Sequence, residues 1–200
     1  KVCAQVLVTK EDFRDRVHYL NMKNCFEGLL ANGVLPIVNE NDVIAVDALM
    51  FTDNDELAAF VASLMEADAL LILSTVDGIF DRDPADKNAQ LLATIAPGTS
   101  LQKYISVRKS LFGRGGMLTK AKIGHKMASL GITTYIANGQ RPNVLVDLLA
   151  GVPLGTKFLS NTVHHSSMKC WLATREGYEK GAAWINDGAV NVLKREIASL

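Results

Sequence analysis

No stretch of this sequence is apolar for long enough to span a bilayer. The longest apolar runs, such as residues 69–73, fall far short of the ~20 residues a transmembrane helix needs, so no membrane partner is expected. Cysteine is scarce: Cys3, Cys25 and Cys170 are odd in number, far apart and free of any C-x-x-C pair. That argues against a disulfide framework or a zinc site and for a reducing, cytoplasmic setting. Aromatic residues make up only 6% of the chain, and Trp171 and Trp184 fall in the tail rather than among the basic residues. A base-stacking platform for nucleic acid is therefore missing where charge would favour one. No secretory leader, internal repeat or low-complexity tract is visible, and the chain opens at Lys1 without a Met, so it is expected to start inside a domain.

Charge is also missing, but locally. The net charge is zero, yet residues 24–81 contain no Lys or Arg against eleven acids. Residues 87–146 contain no Asp or Glu against nine basic residues. Solvated helix faces account for part of such a split. A site with one half suited to a cation and the other to an anion accounts for the rest.

What is present begins with residues 113–120, Gly-Arg-Gly-Gly-Met-Leu-Thr-Lys. Three glycines let the backbone turn tightly and approach a ligand closely. Met117, Ala121, Gly124, Met127 and Ala128 then recur at helical spacing. A glycine loop feeding a helix offers unpaired N–H groups and a positive dipole end, which suit a phosphate. Lys120 stands one turn into that helix. No Gly-Lys-Ser/Thr closes the loop, so it is not a Walker A motif, and Gly-Gly also precedes helices in ordinary loops.

Taken in order, residues 2–8 read as a strand. Thr9 caps a following helix with Asp12 as an imperfect capping box. Its expected buried face is Phe13, Val17, Leu20, Phe26, Leu29 and Leu30, and Asn32-Gly33 stops it. Residues 34–38 form a short strand in which Pro36 marks a start or an edge. Asn39, Glu40, Asn41 and Asp42 follow at its carboxyl end, where open α/β sheets bind ligands. Asp53, Asn54, Asp55 and Glu56 open a helix with the stripe Leu57, Val61, Leu64 and Met65, ending near residues 67–68. One N-cap explains one of those four polar residues, not all of them. Residues 69–73 read as a buried parallel strand, with Ser74, Thr75, Val76, Asp77 and Gly78 beyond it.

A short helix is expected from residue 100 to 104, a strand at 133–137, a helix at 144–149 and a last strand at 155–159. His164 and His165 stand in a polar linker, and a helix is expected at 189–195. Strands alternating with helices predict an α/β fold, a three-layer αβα sandwich with a mainly parallel sheet, over residues 1–160. Residues 161–200 are too few for a core of their own and read as a linker plus the start of a second domain.

Four motifs in register carry a resemblance: Val-Asn-Glu-Asn-Asp at 38–42, Asp-Asn-Asp at 53–55, Leu-Ser-Thr-Val-Asp-Gly-Ile-Phe at 73–80, and the glycine segment at 113–120. Together they resemble the glutamate 5-kinases of the amino-acid kinase family, and the tail from Lys169 is similar to the opening of a PUA domain. The resemblance implies transfer of a phosphoryl group from ATP, with Mg²⁺, to L-glutamate as the first step of proline biosynthesis. It also implies feedback inhibition by proline and a homo-oligomer. It assigns Asn39, Asp42 and Asn54 to glutamate and Ser74 and Thr75 to the nucleotide, Thr75 standing where many members have Asp. Arg114, Gly115, Gly116, Met117, Leu118, Thr119 and Lys120 fall in the nucleotide-binding segment. Lys120 also matches the lysine that steadies the transferred phosphoryl group, and Asp55 the aspartate that orients phosphate-binding lysines. The family's N-terminal strand, with its glycine loop, first phosphate-binding lysine and substrate serine, has no counterpart here. The 200-residue piece alone is therefore expected to be inactive or nearly so. An acetylglutamate kinase-like enzyme and an RNA-binding module remain as other readings. The acid at Asp42, suited to a free ammonium, speaks against the first, and the absent aromatics against the second.

Overall fold

The computed structural model describes residues 1–44, 50–51, 53–82, 86–100, 116–160, 184 and 186–194. Strand β1 (Val2–Val8) pairs in parallel with β2 (Val34–Glu40), Val2 opposite Val34 and Val8 opposite Glu40. The connection between them differs from its sequence expectation. Thr9 donates from both its N–H and its hydroxyl to Asp12 Oδ2, at 2.7 and 2.9 Å, but the turn so closed is a short 3₁₀ helix, Lys10–Phe13. The chain then restarts as α1 (Arg16–Ala31), capped by Asp15, whose Oδ1 accepts from the N–H groups of Val17 and His18. The His18 amide above all holds the Asp15 carboxyl below the ordinary carboxylate range. This restart changes the helical phase. Tyr19, Met22 and Phe26 are buried, whereas Val17, Leu20 and Leu30 face solvent and Leu29 is half-buried.

Helix α2 (Asn54–Leu64) leads through Glu66, at positive φ, into β3 (Ala69–Ser74), so it ends earlier than residues 67–68. The two-residue β4 (Thr94–Ile95) follows, then α3 (Met117–Ser129), β5 (Thr133–Asn138), α4 (Val144–Leu149) and β6 (Thr156–Phe158). A separate helix, α5 (Asp187–Lys194), lies in the tail. Ser100 is not helical, and the rest of the short helix expected at 100–104 lies outside the described residues. These strands form a second sheet in the order β3-β5-β6-β4. β3 and β5 are parallel, as are β4 and β6, and β5 and β6 are antiparallel. The second sheet is thus mainly parallel, as expected, and among the described residues its strands do not pair with β1 or β2.

Alternation along β3 and β5 covers both faces of the second sheet. Leu70, Ile72 and Ile136 join Ala121, Ile123, Met127 and Phe158 in a core under α2 and α3. Leu71, Tyr135 and Ala137 meet Val144 and Leu148 of α4 on the other side. That is the αβα layering. The first sheet is covered on one face by an aromatic core in which Phe13, Phe51 and Phe60 meet edge-to-face, with centroids 5.1–5.8 Å apart. Its other face, with Leu7, Leu35 and Ile37, is exposed. Pro36 lies inside β2, which has only β1 as a neighbour among the described residues, as a proline at a sheet edge requires.

The seat of α3 on β6 depends on Gly124. A Cβ there would meet the Phe158 ring at 2.6–2.7 Å. Gly124→Ala should therefore destabilise the protein by about 1–3 kcal/mol through overpacking, outweighing the ~1 kcal/mol that alanine adds in a helix. Thermal unfolding of Gly124→Ala, Phe158→Leu and the double variant checks this. The double is expected to be more stable than the sum of the singles by about 1 kcal/mol.

Candidate functional site

Helix α2 packs on β3 and runs back to its start, so the first turn of α2 lies at the carboxyl end of β3. Helix α3 stands in the same relation to β5, and β3 and β5 are parallel neighbours. The two helix N-termini thereby share one end of the sheet. Unpaired N–H groups and the positive dipole ends of both helices gather there.

Lys120, in the first turn of α3, donates from Nζ to Asp55 Oδ2 in the first turn of α2. Both side chains are largely buried, at 14% and 17% exposure. This ion pair joins the acidic stretch of the sequence to the basic one. The neighbours of Asp55 are each engaged differently. Asp53 caps α2, its Oδ1 accepting from the Glu56 N–H at 2.9 Å. Glu56 accepts from Lys10 at 2.8 Å, and Lys10 lies 5.7 Å from the centre of the Phe51 ring. The Asn54 side chain is exposed and has no hydrogen-bond partner among the described residues. One cap, two ion pairs and one unengaged amide account for the four polar residues.

The Lys10–Glu56 pair ties the chain just past β1 to the start of α2, so the carboxyl ends of β1 and β2 lie at the same end of the molecule. Asn39 and Glu40 are the last residues of β2 rather than part of a loop beyond it, and Asn41 donates its N–H to the Val8 carbonyl. Asn39 is exposed and donates to the Glu40 carbonyl, and its side-chain oxygen has no partner among the described residues. Asp42 is exposed in the turn that follows. At the end of β3, Ser74 is half-buried and Thr75 exposed. The Ser74 carbonyl accepts from the Gly139 N–H, and Asn138 at the end of β5 donates to Asp77 at 2.9 Å. Gly116 caps α3 in an extended conformation, and Met117, Leu118 and Thr119 form the first turn with Lys120. Arg114 and Gly115 lie outside the described residues. Among the described residues no three His, Cys, Asp or Glu side chains are grouped to hold a metal ion. No described helix is long and apolar enough to cross a membrane.

Lys10 was not singled out from sequence, and Glu56 and Glu40 were read only as members of polar clusters, with no partner or role assigned. The first two lack a local signal, because their pairing spans 46 positions. Glu40 had one. Alternation through Pro36 and Val38 puts position 40 on the inward face of β2, where a charged residue is unusual.

A family model described as the amino acid kinase family matches residues 2–138. The glutamate 5-kinase of Bacteroides thetaiotaomicron is 52% identical over 198 residues, covering 98% of this chain and 55% of that one. The glutamate 5-kinase of Chlorobaculum tepidum is 52% identical over 191 residues, covering 95% of this chain and 52% of that one. The chain thus spans about half the length of the curated relatives it matches. Among solved structures, the UMP kinase of Bacillus anthracis superposes with a TM-score of 0.55 at 18% identity, over 82% of this chain and 62% of that one. The T. acidophilum isopentenyl phosphate kinase product complex gives 0.54 at 18%, over 78% of this chain and 59% of that one. At that identity the structures speak to the fold alone. With the paired helix N-termini in place and the match running from the first strand to the end of β5, the chain belongs to the amino acid kinase family.

Proposed function

We propose that the protein carrying this chain is a glutamate 5-kinase, moving the γ-phosphoryl group of ATP to the side-chain carboxylate of L-glutamate. The contact between Lys120 and Asp55 carries this reading. It sets a fixed cation where two helix N-termini converge, and one of those helices begins with Asn54, which is free to bind a second ligand. The names of the relatives, at 52% identity, support the same substrate pair.

A glutamate carboxylate is already ionised and needs no base. Its oxygen attacks the γ-phosphorus, a new P–O bond forms, and the bond to the β-phosphate oxygen breaks to release ADP. The protein's part is to position both reactants and cancel charge on the transferring oxygens. Lys120 supplies the cation, Asp55 holds its ammonium in place, and the first-turn amides of α3 from Gly116 to Thr119, with Arg114 and Gly115 before them, receive the nucleotide phosphates. Ser74 and Thr75 border the nucleotide at the end of β3. Asn39, Asp42 and Asn54 receive glutamate, with Asp42 taking its ammonium. The residues suit a Mg²⁺ ion carried by the nucleotide phosphates rather than by a protein cage, since Asp55 is engaged by Lys120. The kinase unit in this reading runs over residues 1–160, with residues 161–200 as linker and start of a PUA-like domain. Inhibition by proline and assembly into a homo-oligomer belong to the same proposal.

Lys120→Ala in the intact protein should lower kcat for glutamate-dependent ADP release by about 10²–10³-fold. Asp55→Asn should cost a similar factor and also lower thermal stability, because Lys120 is left charged and poorly solvated without its partner. Wild-type turnover in Lys120→Ala would remove that lysine from the mechanism. The acceptor is checked by comparing L-glutamate with N-acetylglutamate, and kcat/KM is expected to favour the free amine. The reverse order would replace glutamate with an acylated substrate.

A further inference from the structure

Glu40 is 8% exposed, on the inward face of β2, and has no ion-pair partner among the described residues. Its Oε1 accepts the Phe51 N–H at 2.9 Å. Phe51 is 5% exposed, with its ring held between Phe13 and Phe60. Its amide is therefore cut off from water, and Glu40 is the acceptor that meets it. An unmet buried donor is costly, and a carboxylate is a strong acceptor for a backbone amide.

The position of this bond matters more than its strength. Glu40 follows Asn39 and stands two residues before Asp42, while Phe51 stands two residues before Asp53 and three before Asn54. One hydrogen bond thus closes the segment between β2 and α2 at its neck, with Asn39 and Asp42 on one side and Asn54 on the other. Asn41, donating to the Val8 carbonyl, fixes the outgoing leg to β1. The aromatic cluster fixes the returning leg. Glu40 joins the two.

We infer that Glu40 is a positioning residue for the acceptor substrate: it holds the Asn39–Asp42 end of β2 in register with Asn54 and does not touch the phosphoryl group. This rests on the proposed assignment of those three residues to the acceptor. The nucleotide side, held through Lys120 and Asp55, is anchored separately.

The test uses Glu40→Gln and Glu40→Ala in the intact protein. Glutamine keeps an acceptor oxygen in the same place, whereas alanine removes it. Glu40→Ala is expected to raise the acceptor KM at least about tenfold, with KM for ATP within about twofold and kcat within about threefold. Glu40→Gln is expected to stay within about threefold of wild type in all three. Equal damage from glutamine and alanine, an unchanged acceptor KM in Glu40→Ala, or equal rises in both KM values would overturn the assignment. Amide exchange at Phe51 gives a readout independent of turnover. Protection should persist in Glu40→Gln and fall in Glu40→Ala, and should Glu40→Ala fail to fold, rapid exchange at Phe51 in Glu40→Gln alone overturns the latch. If the wild type shows no glutamate-dependent turnover, the kinase reading fails, and Phe51 exchange still decides whether Glu40 closes the segment.

Discussion

Helix α2 is shared by two hydrophobic cores, and the arrangement of the site depends on that sharing. Leu57, Phe60 and Leu64 enter the aromatic core over the first sheet. Ala59 and Ala62 enter the core over the second. Among the described residues no strand of one sheet pairs with a strand of the other, so α2 is a principal tie between them. Any group at its N-terminus is fixed relative to both. Asp55 is such a group, and so is Asn54. The burial that folds the protein is thereby the burial that places the acceptor side against the nucleotide side.

The electrostatics follow from the same geometry. Eleven acids without a cation in one stretch, and nine cations without an acid in another, would repel within themselves if each were gathered at one place. Instead several acids of the first stretch find cations outside it, among them Asp55 on Lys120, Glu56 on Lys10 and Glu66 on Lys23. The last of these is partly exposed and contributes little. The first is largely buried, so removing one partner would leave the other charged in a poorly solvated place. Lys120 is consequently held in one position before any ligand arrives, which is the condition under which a cation serves phosphoryl transfer best.

Much of this was legible from sequence. The strand-helix alternation, the strand at Val2–Val8, the helix at Val144–Leu149 and the start of α3 at Met117 follow from periodicity and glycine placement. Asp55 and Lys120 were singled out by resemblance, and the structure brings the two side chains together. The buried face of α1 was only partly legible: Phe26 was expected to be buried and is, but Tyr19 and Met22 were not named. Two competent N-terminal signals, Thr9 with Asp12 and then Asp15, lie six residues apart, and the first closes only a 3₁₀ turn. Choosing the wrong one rotates the predicted stripe toward Val17 and Leu20, which face solvent. Which strands pair was hidden for a different reason: strand pairing is a long-range property, and periodicity reports burial without naming the neighbour. The Lys10–Glu56 tie was hidden likewise.

Side-chain size then explains how two helix N-termini come close enough for one ion pair to bridge them. On the face of α2 toward the second core the buried residues are Ala59 and Ala62, with Ser63 fully buried beside them. On the other face they are Leu57, Phe60 and Leu64. Small residues allow α3 to approach α2 closely on one side, while large ones hold the first sheet at its distance on the other. Helix α3 repeats the device with Ala121 and Gly124, the latter lying directly under the Phe158 ring. Lys120 stands one helical turn before Gly124, on the same face, so whatever sets the depth of the glycine also sets the reach of the lysine. A bulkier residue on either small face would move α3 outward, and the lysine would leave Asp55 before any charge had been altered.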